Sequence, residues 1–236
     1  MYHMVSEHRT KARFNKLRVR PRAFAEQIKW LKEEGFRFVF ASELADHGNL
    51  ADRTVCLTFD DGYADNLAAA DPVLEACGAK ATLYLAEDRT GGWSSKKKAH
   101  HADDELALEP KLTDEQVRTI LANGRWELGA HSATHANLPT LDQAEAFVEI
   151  TGAREHFAAI FGATPMTFAY PFGLYSSRDA GLVYEAGYVA AMTTEPGIQS
   201  PDNWNLLELS RIKVSGKDSL FSFKLRINGG KRGLQK

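Results

Sequence analysis

The stretch Leu57-Thr58-Phe59-Asp60-Asp61-Gly62-Tyr63 sets two adjacent carboxylates directly after an apolar run. A second stretch, Gly129 to Leu138 (GAHSATHANL), carries His131 and His135 four residues apart after another apolar run. Neighbouring aspartates repel and need cationic partners, and a divalent ion is one such partner. If the chain turns helical after Ser132, the spacing sets both imidazoles on one side, able to share one metal ion. Alone, an HxxxH pair more often marks two ordinary polar histidines. Taken together at one rim of one sheet, the two stretches supply two nitrogen donors and one oxygen donor and leave one carboxylate over. One aspartate is then a ligand, and its neighbour is free to take a proton from an attacking water.

A third stretch, Phe168-Ala169-Tyr170-Pro171-Phe172-Gly173, reads either as a strand closed by a Pro-containing turn or as a groove wall. In the second reading Tyr170 and Pro171 face substrate and the N–H of Phe172 faces a developing oxyanion. The segment from Thr90 to Lys111 is long, charged and poor in apolar residues. It reads first as a solvated surface loop and second as an active-site rim in which Trp93 stacks on a sugar ring. The adjacent His100 and His101 are expected in solvent. Cys56 and Cys77 neither staple a fold nor make a zinc knuckle and are expected to pack as small hydrophobes.

The elements that must position these groups alternate in type. Pro21 to Glu34 is helical with Phe24, Ile28 and Leu31 on one face, Arg37 to Phe40 is a strand, and Ser42 caps a short helix. Val55 to Phe59 is a strand, Asp65 to Ala76 a helix, Ala81 to Ala86 a strand, and Thr113 to Ala122 a helix with a Thr113/Gln116 capping box. Trp126 to Ala130 is a strand, and Leu141 to Phe161 a long helix with Ala144, Phe147, Val148 and Phe157 facing inward. Strands at Thr167 to Tyr170, Tyr188 to Thr193 and Leu209 to Val214 follow, with helices at Ser177 to Ala186 and Asp218 to Ile227. Apolar, barely alternating strands between helices predict an α/β fold with a mostly parallel sheet, either doubly wound or, preferred here, a barrel. In a barrel the chemistry gathers at the C-terminal strand ends, which is where Asp60, Asp61 and His131 fall.

The 236 residues, 44% of them apolar, suit one domain, read as 1–227 followed by a basic tail, 228–236. A formal charge of −2 and a pI near 6.5 provide no basic field for nucleic acid. The first residues hold no apolar leader and no run of about 18 apolar residues occurs, so the sequence as written reads as cytoplasmic. A frayed terminus is the first expectation for the tail, and peripheral contact of the tail with an anionic membrane surface the second.

TFDDG at Thr58 to Gly62, HSATH at His131 to His135 and FAYPFG at Phe168 to Gly173, in this order, resemble the polysaccharide deacetylase family with the NodB-type domain. The resemblance implies a distorted (β/α)7 barrel, a divalent metal, and removal of the acetyl group from an N-acetylated sugar of a cell-surface glycan or its precursor. By the same resemblance Asp61, His131 and His135 are metal ligands and Asp60 is the general base. Zn2+ is the default for two nitrogen donors and one oxygen donor, with Co2+ and Ni2+ compatible.

Two family features are replaced. The arginine that orients the base in many members corresponds to Ala169 here, and Arg211, in ELSRIKV, is the candidate cation for the Asp60 side. The late Leu-x-His that supplies the general acid is absent from Leu209-Ser210-Arg211; the candidate acid is His3, since a branch resembling this chain begins with a similar Tyr-His on its first strand. The competing readings are an amidase or O-deacetylase using the same metal site on a small substrate, and a catalytically weak glycan-binding module. The sequence leaves the oligomeric state open.

Overall fold

A computed structural model describes residues 1–89, 105–200 and 204–229. Five parallel strands form the main sheet in the order β5 (Thr58–Asp60), β6 (Ala81–Leu85), β7 (Trp126–Ala130), β8 (Thr167–Ala169) and β9 (Ala190–Met192). Two further stretches of chain curl this sheet into a barrel. The Thr193 and Leu209 amides donate to Leu209 O and Ala191 O, both at 2.9 Å, joining residues 209–214 to β9. The Val214 amide donates to Met1 O at 3.1 Å, and Tyr2 N to Thr58 O and Asp60 N to Tyr2 O, at 2.8 and 3.0 Å, return the circuit to β5. The result is a distorted (β/α) barrel, the form that the resemblance implied and the one preferred over a doubly wound sheet from the alternation of elements.

Two short parallel pairs flank the barrel: β1 (Met4–Val5) with β2 (Arg18–Val19), and β3 (Arg37–Val39) with β4 (Thr54–Cys56). The expected single strand from Val55 to Phe59 is divided at Leu57, because β4 pairs with β3 whereas β5 pairs with β6. Leu209 to Val214, expected as a strand, joins the sheet by one bridge, Met192 to Leu209.

Strand side chains alternate between two apolar layers. Phe59, Leu83, Leu128, Phe168 and Ala191 belong to the large core packed under the helices. Tyr84, Ala169, Ala190, Met192 and Leu209 fill the lumen with Ala41. Burial on both faces is why the strands lack a polar stripe. It also sends Asp60, one residue beyond Phe59, into the lumen side. Tyr84 lies there because β7 offers Gly129 opposite it; a Cβ on Gly129 would sit 2.4 Å from the Tyr84 ring.

Among the described residues six α-helices surround the strands: α1 (Pro21–Glu33), α2 (Asp71–Cys77), α3 (Asp114–Ala122), α4 (Gln143–Phe161), α5 (Ser177–Glu185) and α6 (Leu220–Gly229). Phe24, Ile28 and Leu31 of α1 are buried as their spacing predicts. Capping boxes begin α3 (Thr113, Gln116), α4 (Asp142, Glu145) and α5 (Ser176, Asp179), each closing N-terminal amides that the helix itself leaves open. The inner face of α4 differs from expectation. Ala146, Ile150, Ala153 and Phe157 are buried, whereas Ala144, Phe147 and Val148 are exposed. With apolar residues around most of its circumference, α4 offers two candidate stripes, and tertiary contact selects between them. No helix among the described residues is long and apolar enough to cross a membrane.

Candidate active site

Asp60 ends β5, and its carboxylate is gripped at both oxygens by Arg211. The Arg211 Nη1–Oδ1 and Nη2–Oδ2 distances are 2.7 and 2.8 Å, with both side chains buried. Arg211 is itself held: Nε donates to Thr193 O at 2.8 Å and Nη1 to Thr58 Oγ1 at 3.2 Å. Burial opposes the Asp60 charge, but the Arg211 guanidinium, with smaller contributions from His131 and His3, holds the carboxyl below the usual range.

Asp61 turns the chain away from the strand with φ of 76°, directing its carboxylate to a different side from that of Asp60. Its Oδ1 lies 3.5 Å from His131 Nε2 and 3.4 Å from His135 Nε2, and all three residues are buried. Burial disfavours the Asp61 charge, but its contacts with the two imidazoles outweigh this and keep the carboxyl well below the usual range. The two rings are not stacked by a helical turn. Residues 131–135 form a loop in which Ser132 and His135 have φ of 64° and 57°, and this loop folds the second imidazole back to an edge-on contact with the first, 4.7 Å between centroids.

These donors fit a divalent cation. Donor–metal distances of about 2.0–2.1 Å in a tetrahedron place donors roughly 3.3 Å apart, close to the observed 3.4 and 3.5 Å. His131 Nδ1 lies 2.6 Å from Ala169 O, a geometry that assigns its proton to Nδ1 and leaves the Nε2 lone pair directed at the cluster. Ala169, standing where the family's arginine is expected, thus presents its carbonyl to the site.

His3 lies one residue after the Tyr2–Phe59 bridge, beside Asp60 on the neighbouring stave. It is half-buried, and its main-chain carbonyl accepts Asn66 Nδ2 at 2.9 Å. Burial lowers the His3 pKa, while the nearby Asp61 and Asp60 carboxylates oppose that effect.

The third stretch supplies the facing wall. Tyr170, expected to face substrate, is instead fully buried in the core under the helices with its hydroxyl donating to Leu207 O at 2.9 Å, because strand alternation turns it away from the side of Ala169; Pro171 is buried too. Phe172 adopts φ of 58° and sets its ring 4.4 Å from that of His135, nearly perpendicular. Four of the five non-glycine residues with positive φ among those described, Asp61, Ser132, His135 and Phe172, surround this site. Such backbone costs on the order of 1–3 kcal/mol per residue, and its concentration here is the pattern of a preorganised site.

A second wall is less legible in sequence. The described end of the charged segment, residues 105–112, packs on the rim: Tyr63 bridges to Lys111, Leu112 N donates to Gly62 O at 2.8 Å, and Leu106 joins Met4 and Tyr63 in a small core. Arg18, fully buried, pins this wall through Glu105 (3.0 Å) and Glu109 (2.7 Å). Lys111 Nζ sits 3.3 Å above the Tyr63 ring centroid, and burial brings its pKa down to about 8, opposed by Asp61, Asp65 and Glu109. Trp93, His100, His101 and tail residues 230–236 lie outside the described residues.

The family profile described as polysaccharide deacetylase matches residues 47–191, more than half of the chain. YxkH of Bacillus subtilis (strain 168), itself given a provisional polysaccharide deacetylase name, is 29% identical over 219 residues, 91% of this chain and 70% of that protein. Poly-beta-1,6-N-acetyl-D-glucosamine N-deacetylase of Escherichia coli (strain K12) is 23% identical; the alignment covers 96% of this chain but spans only 38% of that relative. The Streptococcus pyogenes deacetylase PplD, solved in complex with acetate, superposes with a TM-score of 0.76 at 24% identity, covering 93% of this chain and 92% of that one. The profile match takes in the DDG turn, the histidine loop and the FAYPFG stretch, whose geometry is that described above. On those grounds the chain belongs to the polysaccharide deacetylase family.

Proposed function

We propose that this protein is a metal-dependent hydrolase that removes the acetyl group from an N-acetylated sugar of a cell-surface glycan or its precursor. One observation carries the reading: at a single rim, a buried two-imidazole, one-carboxylate donor set lies beside a second carboxylate that is held ionised by Arg211. Asp61, His131 and His135 would hold Zn2+, or Co2+ or Ni2+ in its place. The ion, when bound, supplies Lewis acidity to the amide carbonyl and makes water acidic enough to attack at neutral pH.

The remaining work falls to the chain. Asp60 takes the proton of the attacking water, and its depressed pKa keeps it in the accepting form. Arg211 fixes the carboxylate plane and prevents Asp60 from turning toward the cation. The N–H of Phe172, presented by a turn locked against His135, faces the oxyanion. His3, on the stave between those of Arg211 and Asp60, delivers the proton that the departing amine requires. Pro171 shapes the acetyl-facing wall with Tyr170 buried behind it, and Trp93 is assigned to sugar stacking.

The name of the Escherichia coli relative supports β-1,6-linked N-acetylglucosamine as one substrate to try. The test is acetate release by zinc-loaded protein from N-acetylated oligomers and from nucleotide-linked monomers, with chelator-treated protein and Asp60→Asn as blanks. Release that both blanks abolish is expected. Zinc binding without release from any substrate would overturn the deacetylase assignment in favour of a glycan-binding role or another acyl group.

A further inference from the structure

A single residue of α4 binds the loop between the two histidines from its outer side. Ala133 N–H donates to the main-chain carbonyl of Glu149 at 2.9 Å. Thr134 donates twice to the Glu149 carboxylate, from N–H to Oε2 at 2.8 Å and from its hydroxyl to Oε1 at 2.6 Å. On the inner side the chain following β6 completes the clamp, with Glu87 N to Ser132 O at 3.3 Å and Asp88 N to Ala133 O at 2.7 Å. Within the loop, Ser132 Oγ accepts Ala136 N–H at 3.2 Å.

Ser132 and His135 need such ties. Non-glycine residues stay at φ of 64° and 57° only where their surroundings over-determine them. The backbone ties come from neighbouring peptides, whereas the Glu149 carboxyl group is a two-oxygen acceptor on a rigid scaffold, since α4 is anchored by Ala146, Ile150, Ala153 and Phe157 in the core. Both of its oxygens are spent on one residue of the loop.

We propose that Glu149 is a positioning residue for the metal centre: it fixes the Ala133–Thr134 backbone so that His135 Nε2 stays within coordinating distance of Asp61 and His131. The inference rests on the metal reading given above. Glu149 holds Ala133 and Thr134, and acts through the loop. Outer ties of this kind carry about 10- to 100-fold in metal affinity.

The experiment compares zinc affinity, by competition with a chromophoric chelator, for wild type, Glu149→Gln, Glu149→Ala, Thr134→Val and the Glu149→Ala/Thr134→Val double variant. The Co2+ absorption spectrum and the melting temperature of the metal-free proteins are read alongside. Glu149→Ala is expected to lose about tenfold or more in zinc affinity and to change the Co2+ spectrum. Thr134→Val, which keeps its N–H donor, should lose less, and the double variant should lose no more than Glu149→Ala, because both changes break one link. Glu149→Gln, which retains one acceptor oxygen, should fall between; it and Thr134→Val carry the test if Glu149→Ala does not fold. Unchanged zinc affinity in folded variants, with or without a lower melting temperature, overturns the positioning role alone. A wild-type protein that binds no zinc overturns the metal reading and this inference with it.

Discussion

Arg211 and Asp60, 151 residues apart in the chain, meet in a buried two-point ion pair at 2.7 and 2.8 Å. Breaking such a pair from one side leaves an uncompensated charge, at a cost of about 3–5 kcal/mol. Arg211→Met is therefore expected to lower the melting temperature and to cut kcat/KM by about 100-fold through misplacement of the base. It also removes the main influence depressing the Asp60 pKa. Because Asp60 must be ionised to accept a proton, the acid limb of the pH–rate profile should move to higher pH. Arg211→Lys keeps charge without the fork and should shift that limb less. An unmoved acid limb in folded Arg211→Met would remove Arg211 from its assigned role.

His3 is distinguished from the donor set by what its loss leaves intact. His3→Gln should reduce deacetylation of an amide by about 10²- to 10³-fold while zinc affinity stays at the wild-type value. An aryl acetate, whose leaving group departs without a proton, should be spared most of that loss. Equal losses on amide and aryl ester would argue that His3 shapes the site and donates no proton.

Gly173 closes the turn that presents Phe172. Its φ is 69°, and a Cβ there would lie 1.9 Å from Thr194 Oγ1. Gly173→Ala thus combines left-handed backbone, on the order of 1–3 kcal/mol, with a steric clash, and should lower both stability and activity. Adding Thr194→Gly relieves the clash alone. Thermal melts should show partial recovery in the double variant; full recovery would mean the backbone conformation carries no cost.

Asp65 provides a stability signal separate from catalysis. Burial pushes its carboxyl up to about 6, with the Val5 backbone and Ser6 opposing. A carboxyl whose folded pKa is raised favours folding below its unfolded value near 3.8 and loses that contribution as pH rises through 6. Asp65→Asn should therefore raise the melting temperature at pH 7 by on the order of 2–4 °C and change it little at pH 4. A gain of equal size at both pH values would point to packing and not to charge.

The TFDDG and HSATH stretches could be read as a site because their donors sit at strand ends, where a barrel gathers them. The route by which they converge could not. Helical periodicity was the available rule for His131 and His135, whereas the chain uses two left-handed residues, Ser132 and His135, held by ties from elsewhere in the fold. Glu149 carried no signal either: it is one of many acidic residues on a helix, and its partner in the loop is known only once α4 is docked. The α4 stripe was misread for a related reason, since Phe147 and Val148 are as apolar as the buried Ile150. Arg211 was accessible only through the family resemblance, which expects an orienting arginine where Ala169 stands and so sends the search to the strand-end cation of ELSRIKV. The 105–112 wall was hidden by its charges, two of which, Glu105 and Glu109, neutralise the buried Arg18.

Closure of the barrel through residues 209–214 gives this protein an order of assembly during synthesis. Asp61, His131 and His135 leave the ribosome well before Arg211, and the strands that bear them are neighbours in the sheet or one stave apart. A nascent chain can gather the three donors while Asp60 still lacks its counter-charge. On the proposed reading, a chain terminated before Arg211 would carry the three donors and Asp60 itself but lack the guanidinium that orients that carboxylate.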